Sequence, residues 1–184
     1  MPGTPFHLEV NPQLPPRLSR LEELANNLWY SWDRPTRTLF ARLHPSLWGS
    51  VGHSPKAFLK RVDQQRLLDA ADDPVFLGNY ARVLSAFDTY NNEPGRTNGA
   101  QHLRQTDLIA YFCFEFGFHE SLPIYSGGLG ILAGDYLKEV SDRNFNLIAG
   151  GLLYRYGYFQ QGISLNGEQI HHFDPATFTQ LPLQ

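Results

Sequence analysis

Apolar residues recur every three or four positions through the first ninety residues, and this spacing predicts a succession of packing helices. Leu18, Leu21, Leu24, Ala25 and Leu28 share one face of a helix predicted to run into Trp29. Asp33 is placed to cap a second helix, with Pro35 tolerated in its first turn and Leu39, Phe40 and Leu43 turned inward. Ser54-Pro55 reads as another helix start, leading to Phe58, Leu59 and Val62. Asp73-Pro74 opens the clearest helix of this half, with Phe76, Tyr80, Val83, Leu84 and Phe87 along its apolar face. The proline-rich opening, Met1 to Pro16, reads as an extended arm. Trp29, Trp32 and Trp48 all fall in this half; aromatic residues at helical spacing are read as core before they are read as platforms for sugar rings.

Between Asn91 and Gln105 the chain turns polar, rich in breakers and aperiodic, so a domain boundary is expected there: residues 1–104 mostly helical, residues 105–184 a different unit. Leu108 to Phe116 is a continuous apolar run, as expected of a strand buried on both faces of a parallel sheet. A glycine-rich segment follows, then Ile131 to Val140 with the pattern of a helix, then Leu147-Ile-Ala-Gly150 as a second strand. Strand, turn, helix and strand make a βαβ unit, and the fold class is α/β. Leu152 to Phe159 is expected to be a strand or loop near the rim, with a further strand in the tail. One βαβ unit leaves sheet edges unpaired, so the chain is expected to be a piece of a larger domain.

Charge and composition narrow the function. A net charge of −3 without a basic stripe disfavours nucleic acid, and no apolar run is long enough to cross a bilayer. The start lacks the pattern of a secretory signal, and a lone Cys113 in an apolar run suggests a buried thiol in a reducing compartment, so a cytoplasmic protein is expected. Candidate chemistry concentrates at Gly127, Gly128 and Gly130, where strand gives way to helix. Unpaired amides of a first helical turn, backed by the helix dipole, suit a phosphate; the same glycines also serve a tight turn.

The run from Tyr111 through Tyr125-Ser-Gly-Gly-Leu-Gly-Ile-Leu-Ala-Gly-Asp135, followed by Gly151-Leu-Leu-Tyr-Arg-Tyr-Gly-Tyr-Phe-Gln160, closely resembles the bacterial branch of the α-glucan phosphorylases, the glycogen and maltodextrin phosphorylase family. Asn27-Leu-Trp-Tyr-Ser-Trp-Asp33 and Leu47-Trp-Gly-Ser-Val-Gly-His-Ser-Pro55 resemble the helical domain of that branch. The resemblance implies an N-terminal fragment: a helical domain followed by the beginning of the first Rossmann-like domain of a GT-B glycosyltransferase, incomplete here. It implies transfer of a terminal α-1,4-linked glucosyl unit from a glucan to inorganic phosphate, giving glucose 1-phosphate, with pyridoxal 5'-phosphate used through its phosphate group. Gly127, Gly128, Leu129 and Gly130 inherit the phosphate and substrate wall, with the Gly128 backbone shared with the cofactor. The lysine that carries the cofactor belongs to a later domain of the family. Lys56, Lys60 and Lys138 do not match it, so the chain alone is expected to be inactive. The resemblance leaves room for a homo-oligomer.

Among side chains, Glu115 at the end of the predicted strand either faces the active cleft, as its family counterpart lies near it, or is a salt-bridged structural carboxylate. Asp135 falls in the early turns of the helix, where negative charge is favoured anyway. Tyr154 and Arg155 lie in a family-like stretch, but an arginine among aromatics is as readily a stacking partner as a phosphate ligand. His119-Glu120 is read as orienting the loop before proton transfer is considered. His171-His172 would point apart on a strand, with no acidic or cysteine cluster to complete a metal site. Three alternatives stand beside the phosphorylase reading. A glycogen or starch synthase normally has a lysine before the glycines, where Tyr125-Ser126 stand here. A non-catalytic glucan-binding or assembly module is another. A dinucleotide-binding enzyme would need Gly-x-Gly-x-x-Gly spacing and a ribose-binding acid.

Overall fold

Proline together with a capping side chain opens most of the helices. In a computed structural model that describes residues 11–92, 104 and 106–182, α1 (Leu21–Asn26) is followed by α2 (Arg34–Leu43), α3 (Pro45–Ser50) and α4 (Pro55–Leu59). The Asp33 carboxylate accepts from the Thr36 amide, the His44 ring from Leu47 and the Ser54 hydroxyl from Ala57, while Pro35, Pro45 and Pro55 occupy first-turn positions that need no donor. α5 (Gln64–Asp72) and the long α6 (Pro74–Asn92) complete the helical half, with Asp73 accepting from the Val75 amide. The single helix predicted from Leu18 into Trp29 is broken. Asn27 turns extended and its side chain caps a separate 3-10 turn, Leu28–Ser31.

One hydrophobic core occupies this half, from Leu18 to Phe87, with Leu21, Leu39, Phe40, Phe58 and Leu67 buried at its centre. Trp48 stacks on Phe40 with ring centroids 5.6 Å apart, and Trp29 packs on Phe87 at 5.5 Å. Trp29 and Trp48 are therefore core residues, and Trp32 packs against the core half-buried. Of the arm, the described part is tied down at Gln13, whose backbone exchanges two hydrogen bonds with the Gln64 side chain. Most of the expected boundary between Asn91 and Gln105 lies outside the described residues.

The second half has the predicted βαβ order. β1 (Ile109–Phe112) pairs in parallel with β2 (Leu147–Gly150), Ile109 opposite Leu147, and α7 (Leu129–Asp142) lies between them in the chain. Two expectations need correction. The strand is four residues long, not nine, and it is not buried on both faces: Phe112 is 80% exposed and Cys113 only half-buried. α7 also begins two residues earlier than the pattern suggested, inside the glycine run. After an irregular stretch, β3 (Gln160–Ile163) and β4 (Gln169–His172) form an antiparallel hairpin, so the tail holds a pair of strands. No helix among the described residues is long and apolar enough to cross a membrane.

Candidate functional site at the start of helix α7

Glu115 organises the glycine turn from behind. It lies beyond the end of β1, is 6% exposed, and its carboxylate accepts from the Tyr125 amide at 2.6 Å and from the Gly130 amide at 3.3 Å. A buried carboxylate is costly unless hydrogen-bonded, and the first turn of α7 supplies both an N–H group and the positive end of a helix dipole. Its partners are backbone amides rather than a basic side chain. The Gly117 amide donates to the Gly130 carbonyl at 2.7 Å, so the chain leaving β1 is strapped to α7.

Four glycines divide into two pairs. Gly130 and Gly134 face inward: a Cβ on Gly130 would lie 3.0 Å from the Glu115 Cγ, and one on Gly134 would lie 2.1 Å from the Gly117 carbonyl oxygen. Gly127 and Gly128 face outward, with no atom within 4 Å of an added Cβ; Gly127 has φ +75°, the left-handed region that glycine enters freely. Gly127, Gly128 and Leu129 are exposed, and no hydrogen bond among the described residues engages their N–H groups. Gly130 differs from them, because its N–H already serves Glu115.

Aromatic rings border the turn. Tyr125, immediately before it, has its ring centroid 5.6 Å from Tyr154 and 5.7 Å from Tyr158, and Tyr125 and Tyr158 are about half exposed. Arg155 is exposed, and its carbonyl accepts from the Ala176 amide. Asp135 is ion-paired with Lys138 one turn further along α7 at 3.6 Å. His171 and His172 sit on β4, where His171 packs against Phe159 and meets the Gln169 side chain. Among the described residues no group of three or more His, Cys, Asp or Glu could hold a metal ion.

The helical half holds the turn and its helix at both ends. The Tyr30 hydroxyl, buried, bonds the Ser121 hydroxyl at 2.5 Å, and Ser121 in turn bonds His119 Nδ1 at 2.9 Å. His119 Nδ1 also accepts from the Ser121 amide at 3.3 Å. At the far end of α7, the Tyr90 hydroxyl donates to Asp142 at 2.8 Å and bonds the Ser141 hydroxyl at 2.7 Å, and the Trp32 indole donates to Asp142 at 3.2 Å. Burial, with Asp142 beside it, pushes the Tyr90 hydroxyl up to about 12, so it remains a donor. These tethers were missed from sequence. Tyr30 and Ser121 are 91 residues apart, and nothing local in either neighbourhood signals the other.

The comparisons with known proteins agree with the residues that carried the resemblance. A family model described as protein of unknown function (DUF3417) matches residues 14–122. The chain is 44% identical over 180 residues to the glycogen phosphorylase of Mycobacterium tuberculosis (strain CDC 1551 / Oshkosh), covering 95% of this chain and 21% of that protein. It is 36% identical over 176 residues to the maltodextrin phosphorylase of Thermococcus litoralis, covering 96% of this chain and 21% of that protein. Against the glycogen phosphorylase of Aquifex aeolicus it is 37% identical over 153 residues, 81% of this chain and 21% of that protein. The chain thus spans about a fifth of the length of the curated relatives it matches, and no solved structure matches it. With a family model covering more than half of its length, and bacterial and archaeal glycogen and maltodextrin phosphorylases similar to it across most of its residues, the chain belongs to the DUF3417 family.

Proposed function

We propose that this chain is part of an α-glucan phosphorylase, in which it supplies one wall of the site where a terminal α-1,4-linked glucosyl unit passes to inorganic phosphate and leaves as glucose 1-phosphate. The observation that carries the reading is the turn at Gly127, Gly128 and Leu129: exposed amides at the start of a fourteen-residue helix, a natural seat for a phosphate. Similarity to proteins named glycogen and maltodextrin phosphorylase supports the same reaction. The βαβ unit formed by β1, α7 and β2 suits the beginning of a Rossmann-like GT-B domain. Tyr125, Tyr154 and Tyr158 beside the turn offer apolar ring faces of the kind that pack on glucose.

Glu115 acts in this reading as the brace of the turn rather than as a group that reaches substrate. Its buried carboxylate takes the Gly130 amide and leaves those of Gly128 and Leu129 for an outside anion. Pyridoxal 5'-phosphate would contribute acid–base chemistry through its phosphate group. The outward amides of the turn suit that phosphate end, with the Gly128 amide as the shared donor, and Lys56, Lys60 and Lys138 all lie off the turn. The protein is expected to work in the cytoplasm on a glucan and phosphate.

Protein of the relatives' length carrying these residues is expected to release glucose 1-phosphate from maltodextrin in the presence of inorganic phosphate. Incorporation of glucose from ADP-glucose without phosphate dependence would point to a synthase instead. The 184-residue chain alone is expected to release none.

A further inference from the structure

A cavity lies beside the loop that leads into the glycine turn. It measures about 450 Å³ and is bounded by Arg34, Arg37 and Thr38 from α2, His53 after α3, and His119 and Glu120 from the loop. Two guanidinium groups and two imidazoles face it against a single carboxylate. The Arg34 carbonyl accepts from the Thr38 hydroxyl, but its guanidinium makes no hydrogen bond or ion pair among the described residues; Arg37 spends one N–H group on the Ser31 carbonyl, which leaves the remaining donors of its fork. The two guanidinium charges outnumber the one carboxylate here, in a chain whose net charge is −3.

His53 is held for this position. Its φ of +54° is in the left-handed region, which a non-glycine residue occupies at some cost and which recurs at ligand sites. The ring lies against Trp48, centroids 5.3 Å apart, and Nδ1 bonds the Glu120 carboxylate. Glu120, 60% exposed at its side chain, keeps acceptor capacity beyond that bond.

We propose that this cleft is a ligand site separate from the glycine turn, and that it takes a small phosphomonoester bearing hydroxyl groups, a sugar phosphate. Paired guanidiniums match the fork geometry of a phosphate. The volume is within the range of small-molecule pockets and exceeds what a bare anion fills. Glu120 favours hydroxyl donors in the remaining space and repels ligands with a second anionic group. Because His119 and Glu120 adjoin Ser121, which Tyr30 holds, a ligand bridging α2 to this loop bears on the segment that enters the glycine turn.

Glucose 1-phosphate titrated into the 184-residue chain, with amide NMR shifts as readout, tests the assignment without requiring any reaction. Saturable shifts are expected at Arg34, Thr38, His53 and Glu120, with inorganic phosphate binding more weakly and glucose not at all. Arg34→Gln, at an exposed position, is expected to weaken binding about tenfold, the loss of one charge-assisted hydrogen bond, with an unchanged melting temperature. His53→Asn, which keeps a residue suited to the left-handed backbone, is expected to weaken it as well, while Gly128→Ala leaves these shifts in place. The proposal is overturned if shifts appear only at Gly127 to Leu129, if neither Arg34→Gln nor His53→Asn alters the affinity, or if nothing binds up to about 10 mM. Equal affinity for inorganic phosphate overturns the sugar phosphate assignment. Failure of the phosphorylase reaction leaves all of these readouts unaffected, since none depends on turnover.

Discussion

Gly128 and Gly130 lie two residues apart and differ in what a methyl group would do to each. At Gly130 it would press on the Glu115 side chain at 3.0 Å in a buried site, so Gly130→Ala is expected to cost about 1–3 kcal/mol of stability in urea denaturation. At Gly128 the methyl enters open space at an ordinary φ of −99°, and Gly128→Ala is expected to change stability by less than about 0.5 kcal/mol. Glu115→Gln retains the shape but weakens two hydrogen bonds to a charged acceptor, with an expected loss of about 1.5–3 kcal/mol. His119 supplies a pH dependence. Burial holds its imidazole below the ordinary value, and Arg37, His53 and Lys138 act in the same direction against Glu120. Unfolded, the group takes up a proton below about pH 6.5, whereas folded it resists until lower pH. The unfolded state therefore binds more protons in that window, and stability falls as pH drops through it. Comparing denaturation near neutrality with denaturation at about pH 5.5 should give a smaller drop for His119→Gln than for the parent chain.

At the scale of elements, α7 is fixed at its start by Glu115 and at its end by Tyr90 and Trp32, which reach across from the helical half. Tyr90→Phe removes two hydrogen bonds at the last turn, so hydrogen exchange at Val140 to Arg143 is expected to quicken while the amides of α2 and α6 stay protected. An unchanged exchange pattern would mean that the tether does not hold α7. The helices themselves were legible because their apolar spacing and caps are local: Asp33, Ser54 and Asp73 cap where expected. α3 and α5 escaped notice, one of six residues and one opened by Asp63 without a side-chain cap, since neither offers a long periodic pattern. The order β1, α7, β2 and the glycine turn were readable for the same local reason. The role of Glu115 was not, because it rests on contacts ten and fifteen residues away whose geometry depends on how α7 packs. Nor were the tethers from Tyr30 and Tyr90, which join segments that only the folded chain brings together.

The molecule as a whole is unevenly built: a helical half with a closed core, and a βαβ half that leaves Phe112, Phe114, Leu152 and Leu153 more than half exposed. Phe112 lies on the two-stranded sheet, and Phe114, Leu152 and Leu153 lie just beyond its two strands. In this arrangement the helical half serves as the mount for the glycine turn, gripping the loop before it and the helix after it. The central claim, that the outward amides of this turn receive the phosphate of a glucan phosphorylase, is tested most directly by the KM for inorganic phosphate in protein of the relatives' length, parent against Gly128→Ala. A methyl in the space kept for the anion is expected to raise that KM about tenfold or more while the melting temperature stays within a degree or so. An unchanged KM for phosphate in the folded variant would contradict it.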